Sequence, residues 1–294
     1  MNTTILEFKN ISKSYSTIEA LKDISFTIPE NSIFGILGEN GSGKSTFMKI
    51  LPGLIQDWSG QIFYQGKLVD RQDMTLRNEF GYLIESPTFY EHLSAQINLE
   101  MLARISNVKS DRIEYVLDLV DLSNRSYDKV HSYSYGMKQR LGIAQALLHD
   151  PKVIILDEPN NGLDPNGIHD MIKLIKRLKS DGKTICLSTH NLKDVEQLCT
   201  DFTVFKNGKN SISNSIEGQF LNSTRWLINV DQSDLVIDKL KNNKSLKFIS
   251  SFNNNILVET DENNAFEFLS SLLKEVKVYK ISKDSNLIEY FQND

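Results

Sequence analysis

Cysteine is scarce in this sequence, and long apolar segments are missing from it. Two cysteines in 294 residues, Cys186 and Cys199, are too few for a zinc cluster or a disulfide framework. We expect both to be buried, small apolar side chains in a reducing cytoplasm. No uninterrupted apolar run exceeds about six residues, far fewer than the roughly 20 of a membrane-spanning helix. The first ten residues contain an acid and no apolar stretch, so no signal peptide is expected. These absences predict a cytosolic protein.

Blocks of basic residues are also lacking. The chain has 33 Lys and Arg against 38 Asp and Glu, a formal net charge of −5, which argues against nucleic acid as its main ligand. Its 40% hydrophobic and 24% charged content is typical of a soluble globular protein. At this length, one large α/β domain with a small appendage fits better than three domains.

Short apolar runs separated by turn signals predict several strands in the first part of the chain. The predicted strands are 5–8, 24–28, 33–37, 61–65, 153–156 and 184–188, of which the last two are apolar enough for a sheet buried on both faces. Helical periodicity covers about 94–120, 136–149, 165–180 and 191–199. This order of strand, glycine-rich loop, helix, strand, helix and strand predicts a doubly wound α/β core.

The last quarter of the chain has a different composition. Residues 1–206 contain 12 asparagines, whereas the 88 residues from 207 to 294 contain 14. Strands are predicted at 225–230, 247–251, 256–260 and 276–281, a helix at 265–274 and a helical turn at 287–291. We therefore predict a domain boundary after residue 210 and a small α+β domain over 211–294.

A glycine-rich loop follows the predicted strand 33–37 and opens a helix. It fits the pattern G-x-x-x-x-G-K-[ST] at every fixed position and consists of Gly38, Glu39, Asn40, Gly41, Ser42, Gly43, Lys44, Ser45 and Thr46. The glycines allow successive backbone N–H groups to surround a phosphate, and the helix dipole adds positive potential. Lys44 supplies a point charge for the β- and γ-phosphates, and the Ser45 hydroxyl is a ligand for Mg²⁺.

Two acidic residues follow the apolar strand 153–156. Asp157 occupies the position that holds Mg²⁺ through water in phosphate-loop enzymes. Glu158 comes directly after it and is a predicted general base for the attacking water. Alone, an Asp-Glu pair after an apolar run is weak evidence for a nucleotide-hydrolysing site. The phosphate loop earlier in the chain makes this prediction specific.

Further motifs resemble those of the ATP-binding subunits of ABC transporters, over residues 1–210. Ser134-Tyr135-Gly136-Met137-Lys138-Gln139-Arg140 is similar to the family signature. Ser134 and Gly136 match it, and Tyr133, Tyr135 and Met137 depart from it. Residues 161–164, ending at Asp164, resemble the D-loop. His190 stands where the family has its switch histidine, and Tyr15 where it has an aromatic on the adenine.

The resemblance implies a P-loop NTPase fold of the ABC type. This has a parallel sheet core, an antiparallel β-subdomain and a helical subdomain, here at about 86–150, in an ATP-binding domain over 1–210. It also implies an ATP-dependent head-to-tail homodimer in which Ser134 and Gly136 of one chain face Lys44 of the other. His190 would then hold the attacking water against Glu158. The alternatives are a satisfied strand-end histidine at 190 and an exposed strand aromatic at 15.

One position departs from most of the family. Transporter ATPases usually have Gln where this chain has Glu85, and the surrounding residues 84–90 and 133–142 resemble the exporters that give resistance to lantibiotics and bacitracin, in which Glu replaces this Gln. A carboxylate accepts hydrogen bonds but cannot donate them as an amide can. We predict that Glu85 senses Mg²⁺ or water and couples it to movement of the permease. The alternatives are a solvated loop glutamate and a misalignment by one residue.

The resemblance also implies partners. ATP and Mg²⁺ would be the cofactors, and integral membrane permease subunits would form the pore, bind the peptide and hold this chain at the cytoplasmic face of the membrane. The predicted function is an ATPase that drives export of antimicrobial peptides, with no nucleic acid involved. The alternatives are a general drug or lipid exporter and a soluble ABC-type ATPase. One cassette, no heptad run and a net charge of −5 argue against the last.

Overall fold

A computed structural model gives the fold of most of the chain. It describes residues 3–70, 79–216, 218, 224–231, 233–241, 243, 245–252, 254–260, 264–274 and 276–284. The predicted helical turn at 287–291 lies outside these residues. The chain folds into two compact units, Met1–Asn214 and Ser215–Asp294. The predicted domain division after residue 210 stays a prediction.

Long antiparallel strands form the first sheet. Its order is β2 (Ile18–Pro29), β1 (Thr4–Tyr15), β4 (Ser59–Tyr64) and β5 (Lys67–Leu68). β1 and β2 are longer than the predicted strands 5–8 and 24–28 because their outer parts carry polar residues on an exposed face. An apolar run therefore marks only the buried part of such a strand.

The second sheet has six strands and is the α/β core. Its order is β10 (Lys209–Ser215), β9 (Asp201–Lys206), β3 (Ile33–Gly38), β8 (Thr184–Thr189), β7 (Val153–Asp157) and β6 (Phe80–Leu83). The ladders from β9 to β6 are parallel, and every residue of β3 and β8 is buried. The predicted α/β core is confirmed. Parallel strands end at one edge, which brings together the residues that follow β3, β7 and β8.

An aromatic cluster attaches the helix after β3 to both sheets. This helix, α1 (Lys44–Met48), buries Phe47 with its ring centroid 4.8 Å from that of Phe8 in β1. The centroid distance from Phe47 is 5.3 Å to Phe26 in β2 and 5.5 Å to Phe205 in β9. Such pairs stabilise the core beyond the area they bury. The short helix therefore packs against side chains of three strands.

Helices cover the region between β6 and β7. They are α2 (Ala95–Ile105), α3 (Asp111–Leu119) and α4 (Tyr135–Leu147), with 3-10 turns at Ser123–Arg125 and Val130–Ser132. α5 (Pro165–Ser180) and α6 (Leu192–Leu198) follow β7 and β8. Among the described residues, no helix combines the length and the apolar character needed to cross a membrane.

The second unit is an antiparallel sheet with two helices. Its elements in chain order are β11 (Arg225–Val230), α7 (Ser233–Lys241), β12 (Lys247–Phe252), β13 (Asn255–Glu259), α8 (Ala265–Leu272) and β14 (Val278–Lys283). The sheet order is β12-β13-β11-β14, which is the split βαβ arrangement of ferredoxin-like domains. The four predicted strands and the predicted helix at 265–274 are present. Helix α7 was not predicted, because its apolar residues 235–237 are contiguous and look like part of a strand.

Gly81 in β6 packs directly against α4, and its replacement tests this contact. A Cβ at this position would overlap the backbone carbonyl oxygen of Ala146. We predict that Gly81→Ala lowers the free energy of unfolding by about 2 kcal/mol, the usual cost of overpacking a core. Urea unfolding measures it. The control is Gly66→Asn, at a turn with φ 76° and no atom within 4 Å of the added Cβ, which should change stability little. Equal stability of both variants would contradict the packing.

Candidate functional site

A cavity of about 460 Å³ lies where β3, β7 and β8 end. Most of the predicted phosphate loop lines it, together with Glu158 and His190. The loop residues in its wall are Asn40, Gly41, Gly43, Lys44, Ser45 and Thr46. The rest of the cavity is lined by Ile18, Glu19, Ala20, Lys22, Asn161, Asn207 and Gly208. The structure thus brings together residues from five separate parts of the sequence.

The loop conformation depends on its glycines. Gly41 and Gly43 have φ 84° and 106°, in the left-handed region that L side chains avoid. A Cβ on Gly43 would also lie 2.7 Å from the Ala20 carbonyl oxygen in β2. A side chain at position 43 would therefore be strained and would also displace the neighbouring strand.

Lys44 is a buried cation at the centre of the loop. Its Nζ donates to the carbonyl oxygens of Gly38 at 2.7 Å and Glu39 at 3.1 Å, and it lies 3.6 Å from Glu158 Oε1. Only 5% of the Lys44 side chain is exposed. A buried ammonium group needs negative charge close by, and the carboxylate oxygen at 3.6 Å lies beyond hydrogen-bond distance, so the ammonium group could still bond to another anion. The loop is therefore suited to bind an anion such as a phosphate.

The two acidic residues at the end of β7 are bonded to a residue of β8. Ser188 Oγ donates to Asp157 Oδ1 and accepts from the Glu158 backbone N–H at 2.9 Å. Glu158 has φ 48°, an uncommon conformation for a residue other than glycine. His190 Nδ1 lies 2.9 Å from Glu158 Oε2, with the proton position set by the histidine tautomer. One residue of β8 and the residue after that strand thus orient the carboxylate that faces Lys44.

The available side chains fit a magnesium ion that is coordinated partly by the protein and partly by a bound phosphate. Within the described part of the chain, no group of three or more His, Cys, Asp and Glu side chains could hold a metal ion. Mg²⁺ commonly takes only one or two protein ligands and completes its shell with substrate phosphates and water. Ser45 and Asp157 would provide those ligands. Ser42 Oγ is buried and has no hydrogen-bond partner within the described residues, so it could also donate to a phosphate.

The predicted signature residues lie at a different cavity. Ser134 caps α4, accepting from the Met137 N–H at 3.3 Å, and Asp164 caps α5, accepting from the Gly167 N–H at 2.8 Å. Ser134, Gly136 and Asp164 line a cavity of about 340 Å³, and none of them is in the wall of the first cavity. One chain therefore keeps the phosphate loop and the signature apart.

Comparisons with known proteins agree with this geometry. The ABC transporter family matches residues 21–161. The ABC transporter ATP-binding protein YdbJ of Bacillus subtilis is 34% identical, over 98% of this chain and 94% of YdbJ. The lantibiotic transport ATP-binding protein SrtF of Streptococcus pyogenes is 39% identical, over 73% of this chain and 92% of SrtF. The bacitracin transport ATP-binding protein BcrA of Bacillus licheniformis is 39% identical, over 70% and 68% of the two chains.

This chain belongs to the ABC transporter ATP-binding proteins. Proteins of this family are ATPases that couple hydrolysis to transport. Solved structures of such cassettes share the fold. One is cbiO1 of Clostridium perfringens, part of the cbiONQ complex, with TM-score 0.69 and 29% identity over 75% of this chain and 92% of that one. Another is the dimeric post-hydrolysis cassette MJ0796 bound to ADP and phosphate, with TM-score 0.64 and 26% identity over 72% and 98% of the chains.

Among the predicted site residues of this ABC cassette that are not in the wall of the first cavity are Tyr15 and Glu85. Tyr15 is 45% exposed, and its ring has Lys13 Nζ 4.4 Å from its centroid. Its stacking on adenine stays a prediction. Glu85 is paired with Lys49, Nζ to Oε1 at 2.6 Å. This hydrogen bond lowers the pKa of the Glu85 carboxyl and raises the pKa of Lys49. A magnesium-sensing role for Glu85 also stays a prediction.

Several residues of the ABC cassette site were not predicted. Ser188 was predicted only as the last residue of the strand 184–188, and its bonds to residues 157 and 158 depend on the register between β7 and β8. The turn Asn207-Gly208 reaches the cavity because the Gly208 N–H donates to the Ser42 carbonyl oxygen at 3.1 Å. An Asn-Gly pair is a turn signal, so the turn was visible in the sequence, but its neighbour was not.

Ser188 allows a test of how the cassette orients its carboxylates. Ser188→Ala leaves the Glu158 N–H and Asp157 Oδ1 without this partner, which we expect to cost about 1–3 kcal/mol of stability. It should also lower kcat for ATP hydrolysis at least tenfold. Steady-state hydrolysis and urea unfolding measure the two effects. The control is Ser180→Ala in α5, whose exposed hydroxyl donates only to the Lys176 carbonyl. Lost stability with unchanged kcat would limit Ser188 to a structural role.

Proposed function

We propose that this chain is the ATP-hydrolysing subunit of an ABC exporter that removes lantibiotic- or bacitracin-type peptides from the membrane and so confers resistance. The observation that carries the hydrolytic role is the contact of Glu158 with both Lys44, at 3.6 Å, and His190, at 2.9 Å. The peptide class is supported by the likeness to SrtF and BcrA. It is also supported by Glu85, at a position where most transporter ATPases have glutamine.

Lys44 provides the positive charge for ATP. The β- and γ-phosphates of the substrate would replace the weak 3.6 Å contact with Glu158 by close contacts with the ammonium group. Backbone N–H groups of the loop would add donors to the same oxygens. A magnesium ion, held by Ser45 and Asp157, supplies charge neutralisation on those oxygens when bound.

Glu158 is the proposed general base. It would accept a proton from the water that attacks the γ-phosphorus, while the bond from that phosphorus to the β-phosphate oxygen breaks and ADP and phosphate form. His190 would orient the carboxylate through the 2.9 Å contact and face the γ-phosphate. A base held from two sides loses little freedom at the reaction step.

The separation of the two cavities supports the proposed head-to-tail homodimer. Ser134 and Gly136 open α4, an N-terminus suited to bind a phosphate, yet they lie away from the cavity of their own Lys44. A second copy would bring its own α4 to that cavity. Permease subunits in the membrane would hold the dimer at the cytoplasmic face, and the peptide would bind to them.

The ATPase test uses Glu158→Gln, which keeps the size of the side chain but not its basicity. We predict that ATP binding survives and that kcat falls at least a hundredfold, since general-base catalysis contributes roughly that much or more. Glu267→Gln, at an exposed position of α8, is the control and should hydrolyse ATP as the wild type does. Unchanged hydrolysis in Glu158→Gln would contradict the assignment.

The transport test is growth of a sensitive bacterium that expresses this chain with its native permease genes. We predict resistance to a lantibiotic or to bacitracin, lost in Glu158→Gln and kept in Glu267→Gln. Protection against an unrelated small drug alone would favour the general exporter. No protection, with the chain absent from the membrane fraction, would favour the soluble ATPase.

A further inference from the structure

Lys13 is a buried lysine that the proposed hydrolysis leaves without a role. It lies near the end of β1 and is 4% exposed, and over the part of the chain that the structure describes only Lys44 is a comparably buried lysine or arginine. Burying an ammonium group costs free energy unless negative charge or electron density lies close to it. Lys13 lines neither of the two cavities described above, so its own contacts must indicate what it does.

Asp57 is the ion-pair partner of Lys13. Lys13 Nζ donates to Asp57 Oδ2, and this hydrogen bond lowers the pKa of the Asp57 carboxyl. The strand register brings the two residues together, since Ser12 of β1 pairs with Ser59 at the start of β4, two residues after Asp57. The Asp57 side chain is 84% exposed and that of Lys13 is 3% exposed. The pair therefore fixes the ammonium group at one point while the carboxylate stays hydrated.

The fixed ammonium group lies against the ring of Tyr15. Lys13 Nζ is 4.4 Å from the ring centroid, within the range of a cation–π contact. The two residues are two positions apart in β1, so their side chains project from the same face of the strand. Tyr15 is 45% exposed, so much of its ring surface remains accessible. The contact restrains the rotation of the ring and leaves part of its surface open to a ligand.

The cross-strand neighbour of Tyr15 places the ring at the edge of the first cavity. Tyr15 and Ile18 are opposite each other at the end of the β1–β2 ladder. Opposite residues of an antiparallel pair have their side chains on the same face. Ile18 is 69% exposed and lines the cavity that contains the phosphate loop. An exposed aliphatic side chain and an exposed aromatic ring thus adjoin this cavity, and such a surface suits the flat face of a nucleotide base.

We propose that Lys13 is a positioning residue for the nucleotide base: paired with Asp57, it holds the Tyr15 ring in place to stack on adenine. This inference rests on the proposed ATPase function and on the predicted stacking of Tyr15. The ammonium group covers part of the ring, and the exposed part is left for adenine. A ring that is already ordered loses little rotational freedom when the base binds, so the base binds more tightly.

Binding of ADP and of inorganic pyrophosphate to the full chain, with Mg²⁺ present, tests the proposal without any hydrolysis. Both ligands carry two phosphate groups, but only ADP has a base. Lys13→Met keeps most of the buried apolar stem and removes the charge. By titration calorimetry we expect it to raise the Kd of ADP about three- to tenfold and to leave the Kd of pyrophosphate unchanged. An equal change for both ligands would overturn the proposal, since it would mean a general distortion of the site.

Two further variants separate this contact from its surroundings. Asp57→Asn weakens the anchor of Lys13 at an exposed position, so it should fold and should raise the Kd of ADP by a smaller factor; an unchanged Kd would overturn the role of the pair. The matched control is Lys9→Met, because Lys9 in β1 also has an ion pair, 3.1 Å from Glu7, and a ring contact, 4.6 Å from the Phe63 centroid. It should leave both Kd values unchanged. An increase as large as in Lys13→Met would contradict a specific role of Lys13.

A double-mutant cycle shows whether Lys13 acts through Tyr15. Tyr15→Ala should raise the Kd of ADP at least fivefold, because the stacking surface is lost. Lys13→Met should then add nothing in the Tyr15→Ala background, since two residues that act through one contact are not additive. An equal effect of Lys13→Met with and without the ring would overturn the positioning role.

The outcomes separate this inference from the proposed function. A wild-type chain that does not bind ADP would contradict the proposed ATPase. ADP binding that Lys13→Met leaves unchanged would overturn the inference alone.

Discussion

The arrangement of the site depends on one buried cation. Lys44 is almost fully enclosed, bonded to two loop carbonyls and only loosely opposed by Glu158 at 3.6 Å. Three strands must end at the same edge to place the loop, the carboxylate and His190 around it. The aromatic cluster around Phe47 fixes the helix that carries the lysine. Because Glu158 lies beyond hydrogen-bond distance of the enclosed ammonium group, a phosphate oxygen could still bond to that group.

Local sequence patterns account for the secondary structure and the site residues that could be predicted. The phosphate loop is contiguous in sequence, and each of its fixed positions has a steric or electrostatic reason, as the φ of 106° at Gly43 illustrates. Asp157 and Glu158 follow the apolar run 153–156, so their place at the strand end could be predicted without knowledge of the fold. Helix α5 is found at the predicted bounds because Asp164 caps it, Pro165 begins it and Gly182 follows it.

Contacts between distant residues could not be predicted. Glu85 and Lys49 are 36 residues apart, and nothing in either local sequence identifies the other as its partner. Ser188 reaches Asp157 only because β8 lies beside β7 in a particular register. Helix α7 has an ambiguous apolar run, and its packing in the core with β11 and β13, through Val236 and Leu240, decides its structure. Tertiary contacts decide each of these features.

The central claim is that two copies of the chain share each nucleotide, and mixing two inactive variants tests it most directly. Lys44→Ala removes the loop cation and Ser134→Ala removes the signature hydroxyl. A mixed dimer keeps one site in which both groups are native. Random pairing makes half of the dimers mixed, so an equimolar mixture should regain up to about a quarter of wild-type ATP hydrolysis. A mixture no more active than the average of the separate variants would contradict the shared site.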